Sequence, residues 1–314
     1  MFINTISSYL PSQVIKNDYF KDINGLSDEW ILERTGIYER RKADSHENTH
    51  TMAIEATKAA VASLPYPVEE VDLIIGATYT PHDTIFTLGH ALQHYLDISD
   101  IPVVTISTAC SSFLNAAEIA QGYFAMGKAS KALVVVSEHN SAYYNVSDLK
   151  SGHLWGDGAA AMFISKERAS DTDYEVLDLT TGGAGNVGKA FESVTLKPIE
   201  SGIIMPNGRD VFINACTYMA NVTRSIVEKN GFELSDVDYL IPHQANLRIT
   251  KNVGQSLGLP EQKAISNVQY LGNTGCAGCA IAMAQHKANF KKQELIVVTV
   301  FGGGYSFGAM LVRV

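Results

Sequence analysis

Three residues of this chain combine chemical capacity with a position from which they could be aimed. Cys110 lies in Ile106-Ser107-Thr108-Ala109-Cys110-Ser111-Ser112-Phe113, where a short apolar run hands over to small residues of helical character. A cysteine at a helix start meets the positive end of the helix dipole and unpaired backbone N–H groups, which favour thiolate over thiol. His243 follows the run Tyr239–Pro242 in Pro242-His243-Gln244-Ala245-Asn246, and Asn273 lies in Leu271-Gly272-Asn273-Thr274-Gly275. Singly, each has a bland explanation: a buried structural cysteine, a loop cap, a satisfied hydrogen-bonder. Together, a Cys, a His and an Asn suit thioester chemistry, in which a thiolate attacks the carbonyl and N–H donors hold the developing oxyanion. The run Phe301-Gly302-Gly303-Gly304-Tyr305 adds backbone able to approach a substrate and lend such a donor, or else forms only a tight turn.

Other motifs carry less. His90 and His94 are spaced i, i+4 but have no acidic partner between them, and read as surface or interface histidines. Cys276-Ala277-Gly278-Cys279 has redox spacing without a second Cys/His pair to complete a zinc site, so packing at a helix start explains it more simply. Gly156-Asp157-Gly158 reads as a turn before a strand, with Asp157 structural. The glycine run lacks Gly-x-Gly-x-x-Gly spacing after a first strand, which argues against a dinucleotide site.

The elements that would position these residues alternate. Strand-like runs occupy Val71–Ala77, Val103–Ile106, Ala132–Ser137, Ala159–Ile164, Tyr239–Ile241, Leu295–Phe301 and Ala309–Val312. Helix-like stretches lie at Ala53–Leu64, Ser112–Met126, Gly208–Asn230, Leu247–Leu257 and Cys279–Asn289. The pattern is that of an α/β protein with strands covered on both faces. It also repeats. Val71-Asp72-Leu73-Ile74-Ile75 returns as Val237-Asp238-Tyr239-Leu240-Ile241, and Thr108-Ala109-Cys110 as Thr274-Gly275-Cys276, both offset by 166 residues. Leu133–Val136 then parallels Leu295–Val298, and Ala161-Met162 parallels Ala309-Met310. Ordered recurrence predicts two similar halves, 1–166 and 167–314, whose strand ends and helix starts face one central site about a pseudo-dyad.

Composition sets the outer bounds. The chain has 314 residues, 46% of them hydrophobic and 18% charged, enough apolar material for a large core and no signature of disorder. The net charge of −9 argues against broad nucleic-acid binding. No apolar run is long enough to span a bilayer, the N-terminal stretch does not read as a signal peptide, and four cysteines do not make a disulfide framework. A cytoplasmic protein with reduced thiols is expected.

These motifs, in this order and spacing, resemble the β-ketoacyl-acyl carrier protein synthase III family of the thiolase-like superfamily. The resemblance runs through Ser27-Asp28-Glu29-Trp30-Ile31, Arg34-Thr35-Gly36-Ile37, Ala109-Cys110, Gly156-Asp157-Gly158-Ala159, Pro242–Asn246, Gly272-Asn273-Thr274 and Phe301–Gly304. It implies a five-layer αβαβα fold of two similar halves and a homodimer. It implies that Cys110 accepts an acyl group from a coenzyme A or carrier-bound thioester. His243 and Asn273 would assist decarboxylation of malonyl-acyl carrier protein, and the N–H groups of Cys110 and Gly303 would form the oxyanion hole. Trp30 would stack on the adenine of coenzyme A with Arg34 nearby, and Arg248 and Lys251 would meet the acidic carrier protein. Ile85 or Phe86 would line the acyl pocket, lent by the partner subunit. Coenzyme A and phosphopantetheine thioesters would be substrates, with no bound cofactor or metal.

The chain also departs from the family pattern. Cys110-Ser111-Ser112-Phe113 replaces the frequent Cys-Ala-Gly-Phe, Lys150 stands near the usual coenzyme-binding arginine, and Ile213 replaces a basic residue of the carrier-docking helix. The donor is therefore open between fatty-acid initiation and a specialised synthase. Acyl transfer to an alcohol or amine, thioester hydrolysis and a non-catalytic partner subunit are the competing readings. Retention of Cys110, His243 and Asn273 counts against the last, and the absence of a motif carboxylate counts against chemistry that needs a strong base.

Overall fold

The computed structural model describes residues 1–197 and 202–314. Its organisation follows from two central helices rich in small and apolar residues. Ser112–Ala125 and Gly278–His286 are built largely of Ala, Gly and apolar residues, and such helices must be covered all round. Their small side chains let a sheet approach from either side. Phe113, Ala117, Ile281 and Met283 pack in one core with Ile75, Val134 and Met162 on one side and Ile241, Val298 and Met310 on the other.

The outer sheet faces are covered by one-sided helices. Thr49–Val61 buries Thr49, Met52, Ala53, Ala56, Thr57 and Ala60, a spacing of three and four that draws one apolar stripe. With Leu88–Leu96 it covers Ile74, Leu133 and Phe163. Gly208–Lys229 and Leu247–Ser256 cover Leu240, Val297 and Leu311. The result is the expected five-layer αβαβα arrangement.

Nine strands form one hydrogen-bonded row in the order Val237–Pro242, Leu295–Phe301, Ser306–Arg313, Tyr174–Gly183, Phe2–Tyr9, Gly158–Ser165, Lys131–Glu138, Leu73–Ala77 and Val103–Ile106. The row is thin at its middle, where Tyr174–Gly183 meets Phe2–Tyr9 through only two residue pairs, Phe2–Glu175 and Ile3–Tyr174. Either side of that join the pattern repeats. Leu73–Ala77 runs parallel to Lys131–Glu138, which pairs antiparallel with Gly158–Ser165. Likewise Val237–Pro242 runs parallel to Leu295–Phe301, which pairs antiparallel with Ser306–Arg313. The counterpart of the edge strand Val103–Ile106 shrinks in the second half to one bridge, Leu240 to Ala264.

The seven expected strands are present, some extended by up to three residues. The helix expected from Ala53 starts at Thr49. There Asn48 Oδ1 accepts from the His50 and Thr51 N–H groups at 2.9 and 3.1 Å, and Thr51 Oγ1 accepts from Asn48 N–H at 2.8 Å. Phe2–Tyr9 and Tyr174–Gly183 escaped the apolar criterion because their polar residues are satisfied in place. Asn4 donates to Ser165 Oγ and Asp173 Oδ2 at 2.8 and 2.9 Å, and Asn115 donates to Thr181 Oγ1 at 3.1 Å. Among the described residues no helix is long and apolar enough to cross a membrane.

Candidate active site

The strand Val103–Ile106 ends in a turn that delivers Cys110 to the start of Ser112–Ala125. Ala109 adopts φ 51°, a left-handed conformation rare for a residue with a side chain. The turn is tied off by its own hydroxyls. Ser112 Oγ accepts from Thr108 N–H at 2.8 Å and donates to the Ala109 carbonyl at 2.6 Å, while Ser111 Oγ donates to the Thr108 carbonyl at 2.8 Å. The two serines that follow the cysteine thus serve the turn itself.

The glycine run comes from the other half and lies directly on this turn. A Cβ at Gly302 would stand 2.9 Å from Cys110 N and 3.0 Å from Ser111 N, so Gly302 is the position where only glycine fits. Ser306 clasps the two pieces, its Oγ donating to the Thr108 carbonyl at 2.8 Å and accepting from Ser111 Oγ at 2.7 Å. Gly303 is thereby held against the same turn, where a Cβ would stand 3.6 Å from Ala109 Cβ.

His243 leaves the strand Val237–Pro242 in a segment whose other polar residues are occupied. Gln244 Nε2 donates to the Pro242 and Ile265 carbonyls at 2.6 and 3.2 Å, and its Oε1 accepts from Asn267 N–H at 2.8 Å. Asn246 caps Leu247–Ser256 by accepting from Arg248 N–H at 2.8 Å. The imidazole is 5% exposed and its Nδ1 has no hydrogen-bond partner among the described residues. Asn273 Oδ1 accepts from Gly275 N–H at 2.9 Å, which leaves its Nδ2 free to donate. Its backbone is bolted to the Leu154–Gly158 turn through Asn273 N–H to the Leu154 carbonyl at 2.7 Å and Gly156 N–H to the Asn273 carbonyl at 3.0 Å. Asp157 accepts from the Ala43 and Ser141 N–H groups, both at 2.8 Å, and is a structural residue.

Cys110, His243, Asn273 and Gly303 all line one cavity of about 100 Å³, closed by Leu154, Trp155, Phe212 and Phe301 among others. Burial sets the charge state of these groups. It pushes the Cys110 thiol up to about 12, with the neighbouring Glu138 adding to the rise and the Gly303 N–H opposing it. It also holds His243 down to about 4, so the imidazole is neutral. The thiolate expected from the helix start is thus outweighed by desolvation in the empty site.

Two neighbours, Glu138 and Tyr79, were not found by inspecting the sequence, and a third, Cys276, was read there only as packing at a helix start. Glu138 ends Lys131–Glu138 fully buried, accepting from Thr78 Oγ1 at 3.1 Å, Thr80 Oγ1 at 2.5 Å and Cys276 Sγ at 2.9 Å. Burial raises its carboxyl to about 7 against these donors. Cys276, the counterpart of Cys110 in the repeat, is therefore a hydrogen-bond donor as well as a packing residue. Tyr79, whose hydroxyl donates to Asn140 Oδ1 at 2.7 Å, adds to the field at the Cys110 thiol. The available signal was position: Tyr79 and Glu138 each stand at the carboxyl end of a parallel strand, as His243 does.

The remaining expected residues divide into those near the mouth and those apart from it. Gly36, at φ 72°, lets Asp28–Thr35 end against Leu247, whose Cβ would be 2.6 Å from any Cβ placed there. Trp30 and Arg34 are thus brought beside the helix that carries Arg248, and Asn246 Nδ2 donates to the Arg34 carbonyl at 3.1 Å. One face of Trp30 is covered by the Arg34 guanidinium at 4.3 Å. Arg248 lies over Phe212 of the cavity wall at 5.8 Å, and Lys150 is exposed. Lys251 turns away from the mouth, pairing with Glu261 at 2.9 Å beside a separate groove. Ile85 and Phe86 do not line this chain's cavity but stand 87% and 48% exposed. Phe86 lies within ring contact of His50, His90 and His94. Ile213 is exposed on Gly208–Lys229.

A cysteine at a helix start, facing a neutral imidazole, a carboxamide and a glycine N–H across the dyad of a five-layer duplicated fold, defines a thiolase-like acyl-transfer enzyme. The family model described as 3-Oxoacyl-[acyl-carrier-protein (ACP)] synthase III matches residues 104–185, and the corresponding C-terminal model matches residues 227–314. The chain is 33% identical to the beta-ketoacyl-[acyl-carrier-protein] synthase III of Staphylococcus haemolyticus, over 99% of this chain and 98% of the relative. Its fold is similar to the crystal structure of 3-oxoacyl-[acyl-carrier-protein] synthase III from Aquifex aeolicus, with a TM-score of 0.92 and 34% identity over 100% of this chain and 99% of that one. The Thermus thermophilus synthase III structure also gives 0.92, at 28% identity over the same shares. The chain belongs to the β-ketoacyl-[acyl-carrier-protein] synthase III family, and its activity is of that type, a condensing acyl transfer of fatty-acid initiation.

Proposed function

We propose that Cys110 takes an acyl group from an acyl-coenzyme A or acyl-carrier thioester and passes it to the carbanion formed from malonyl-acyl carrier protein. The observation that carries this reading is the convergence of Cys110, His243, Asn273 and Gly303 on one buried cavity. In the first half-reaction a bond forms between Sγ and the acyl carbon, the donor's C–S bond breaks, and the thiol proton leaves on the donor's sulfur. The Cys110 and Gly303 N–H groups hold the carbonyl oxygen as it gains charge. In the second, the malonyl thioester oxygen accepts hydrogen bonds from the neutral His243 ring and Asn273 Nδ2. The electrons left by departing carbon dioxide are then held as an enolate. That carbanion attacks the acyl carbon, a carbon–carbon bond forms, and Sγ departs and regains a proton. Loss of carbon dioxide replaces deprotonation, so neutral donors suffice and no strong base is needed.

Trp30, Arg34 and Lys150 would hold coenzyme A, with Arg248 and Lys251 receiving the acidic carrier; the seating of Trp30 and Arg34 on Asp28–Thr35 beside Arg248 of Leu247–Ser256 supports the roles of those three, whereas Lys251 pairs with Glu261 away from the mouth. The exposed apolar side chains Ile85 and Phe86 support a homodimer in which they reach the partner's acyl pocket. Free thiols at all four cysteines suit a cytoplasmic enzyme. Intact-protein mass after mixing with acetyl-coenzyme A tests the first step. An acetyl adduct is expected, lost in Cys110→Ala. Release of carbon dioxide from malonyl-carrier protein tests the second, with a loss of roughly 100-fold or more expected in His243→Ala and Asn273→Ala. An adduct that persists in Cys110→Ala would refute the assignment.

A further inference from the structure

Arg40, 2% exposed, is one of the largest side chains buried in the fold, and the two half-reactions leave it unused. It sits on the short strand Glu39–Lys42, which pairs with Gln13–Lys16 outside the nine-stranded row. Among the described residues its guanidinium donates to neutral acceptors. Nη1 reaches Asn17 Oδ1 at 2.7 Å and the Ile15 carbonyl at 3.3 Å, and Nη2 reaches the His153 carbonyl at 2.7 Å. Its Nε has no hydrogen-bond partner among those residues. A buried cation held by neutral groups is costly to desolvate, so stability alone does not account for a guanidinium here. The contacts at its two ends do.

At the far end, Asn17 Nδ2 donates to Asp28 Oδ1 at 2.8 Å, at the start of the helix that carries Trp30 and Arg34. The guanidinium lies over the Phe20 ring at 4.7 Å. His153, whose carbonyl it holds, sets its own ring edge-on to Trp30 at 5.4 Å. At the near end, Arg40 Cβ is wedged against two glycines that hold Asn273. A Cβ at Gly272 would stand 2.9 Å from it, and one at Gly156 would stand 3.3 Å from it. Gly272 precedes Asn273 at φ 66°, and Gly156 N–H donates to the Asn273 carbonyl at 3.0 Å. Segment 153–156 also receives the Asn273 N–H, at the Leu154 carbonyl. One side chain thus spans from the Trp30 helix to the backbone bonds that fix Asn273.

We propose that Arg40 is a positioning residue for the second half-reaction. Its fork ties the Trp30 helix to segment 153–156 and so holds the Asn273 carboxamide where the malonyl thioester oxygen is received. The proposal rests on the roles given above to Cys110 and Asn273. The two-ended reach of the fork, and not its charge, does the positioning.

The test compares the wild type, Arg40→Met and Arg40→Lys in each half-reaction separately. Acetyl transfer to Cys110 at saturating acetyl-coenzyme A is followed by intact mass, and the second step by release of carbon dioxide from malonyl-carrier protein. Arg40→Met should acylate within about threefold of the wild type and lose roughly tenfold or more in carbon dioxide release, as a misplaced binding group does. Arg40→Lys keeps the charge but cannot bond at both ends, and should lose as much. With Asn273→Ala already present, Arg40→Met should cost no more than about twofold further, because it acts through that carboxamide. Arg40→Lys at the wild-type rate of carbon dioxide release overturns the proposal. So does an Arg40→Met protein whose two half-reactions fall together, or one whose loss is undiminished on the Asn273→Ala background. Should Arg40→Met fail to fold, Asn17→Ala frees the far end of the fork, and the same outcomes decide. A wild type that takes no acetyl group, or an Asn273→Ala protein with the wild-type rate of carbon dioxide release, would instead refute the reading of the site, and the proposal would fall with it.

Discussion

Burial acts on every titratable group around the nucleophile, and it drives each toward its uncharged form. The Cys110 thiol rises to about 12, His243 falls to about 4 and Glu138 rises to about 7. At neutral pH the thiol and the imidazole are therefore uncharged, while the Glu138 carboxyl stands near its midpoint. Alkylation of Cys110 by iodoacetamide should accelerate about tenfold per pH unit from 7 to 9 without levelling off, followed by mass; a plateau at neutral pH would mean a resting thiolate. His243 also links folding to pH. Its native value lies below the unfolded one, so the unfolded chain binds more protons between about 4 and 6.5. The associated stability is complete above 6.5 and lost as pH falls through that window. Urea melts should show the wild type losing about 2 kcal/mol more than His243→Gln between pH 7 and 5. Parallel losses would show that burial does not depress this imidazole. Cys110, His243 and Asn273 were legible in the sequence because each stands beside a glycine, proline or small-residue signal at a strand end. Tyr79 and Glu138 were not, because a Tyr or Glu just past an apolar run looks like the first residue of a loop until its partners are known.

At the scale of elements, the helices and strands with one strong period were readable. The two innermost strands were not, because their polar residues find partners such as Ser165 and Asp173 only after folding. Glycine chemistry was readable only in part: the run Gly302–Gly304 was noticed, but which of its members must be glycine depends on how closely it approaches the other half. Gly302→Ala drives a methyl group between Cys110 N and Ser111 N. It should lower kcat for acylation by roughly 100-fold or more, through displacement of the oxyanion donors. Its melting temperature should fall far less than its activity, and an unchanged kcat would dissociate the run from catalysis. Gly36→Ala should act on binding instead. It forces a left-handed conformation and a contact with Leu247, at a cost of roughly 1–3 kcal/mol. The KM for coenzyme A thioesters should rise while kcat holds, because Trp30 and Arg34 lose their seat.

For the whole molecule, the four recurring segments pointed to a duplicated α/β architecture and the family resemblance implied its five layers, whereas the surface was less legible. Ile85 and Phe86 stood out only through the family resemblance, since an Ile and a Phe in a loop carry no signal of their own, and here they form an exposed apolar tip. In sedimentation velocity the proposed homodimer should be present in the wild type and lost in Phe86→Asp; a dimer that survives the substitution would locate the interface elsewhere. The two-pair join between Tyr174–Gly183 and Phe2–Tyr9 carries the last consequence. The nucleophile lies on one side of that seam, while the imidazole, the carboxamide and the glycine run lie on the other. Sheet hydrogen bonds barely cross it; the two helices sandwiched in the centre supply the adhesion. Either half alone would therefore hold half a reaction and expose the inner face that the other half covers. The reaction proposed for Cys110 needs both halves in place, because the groups it uses come together in one cavity drawn from the two.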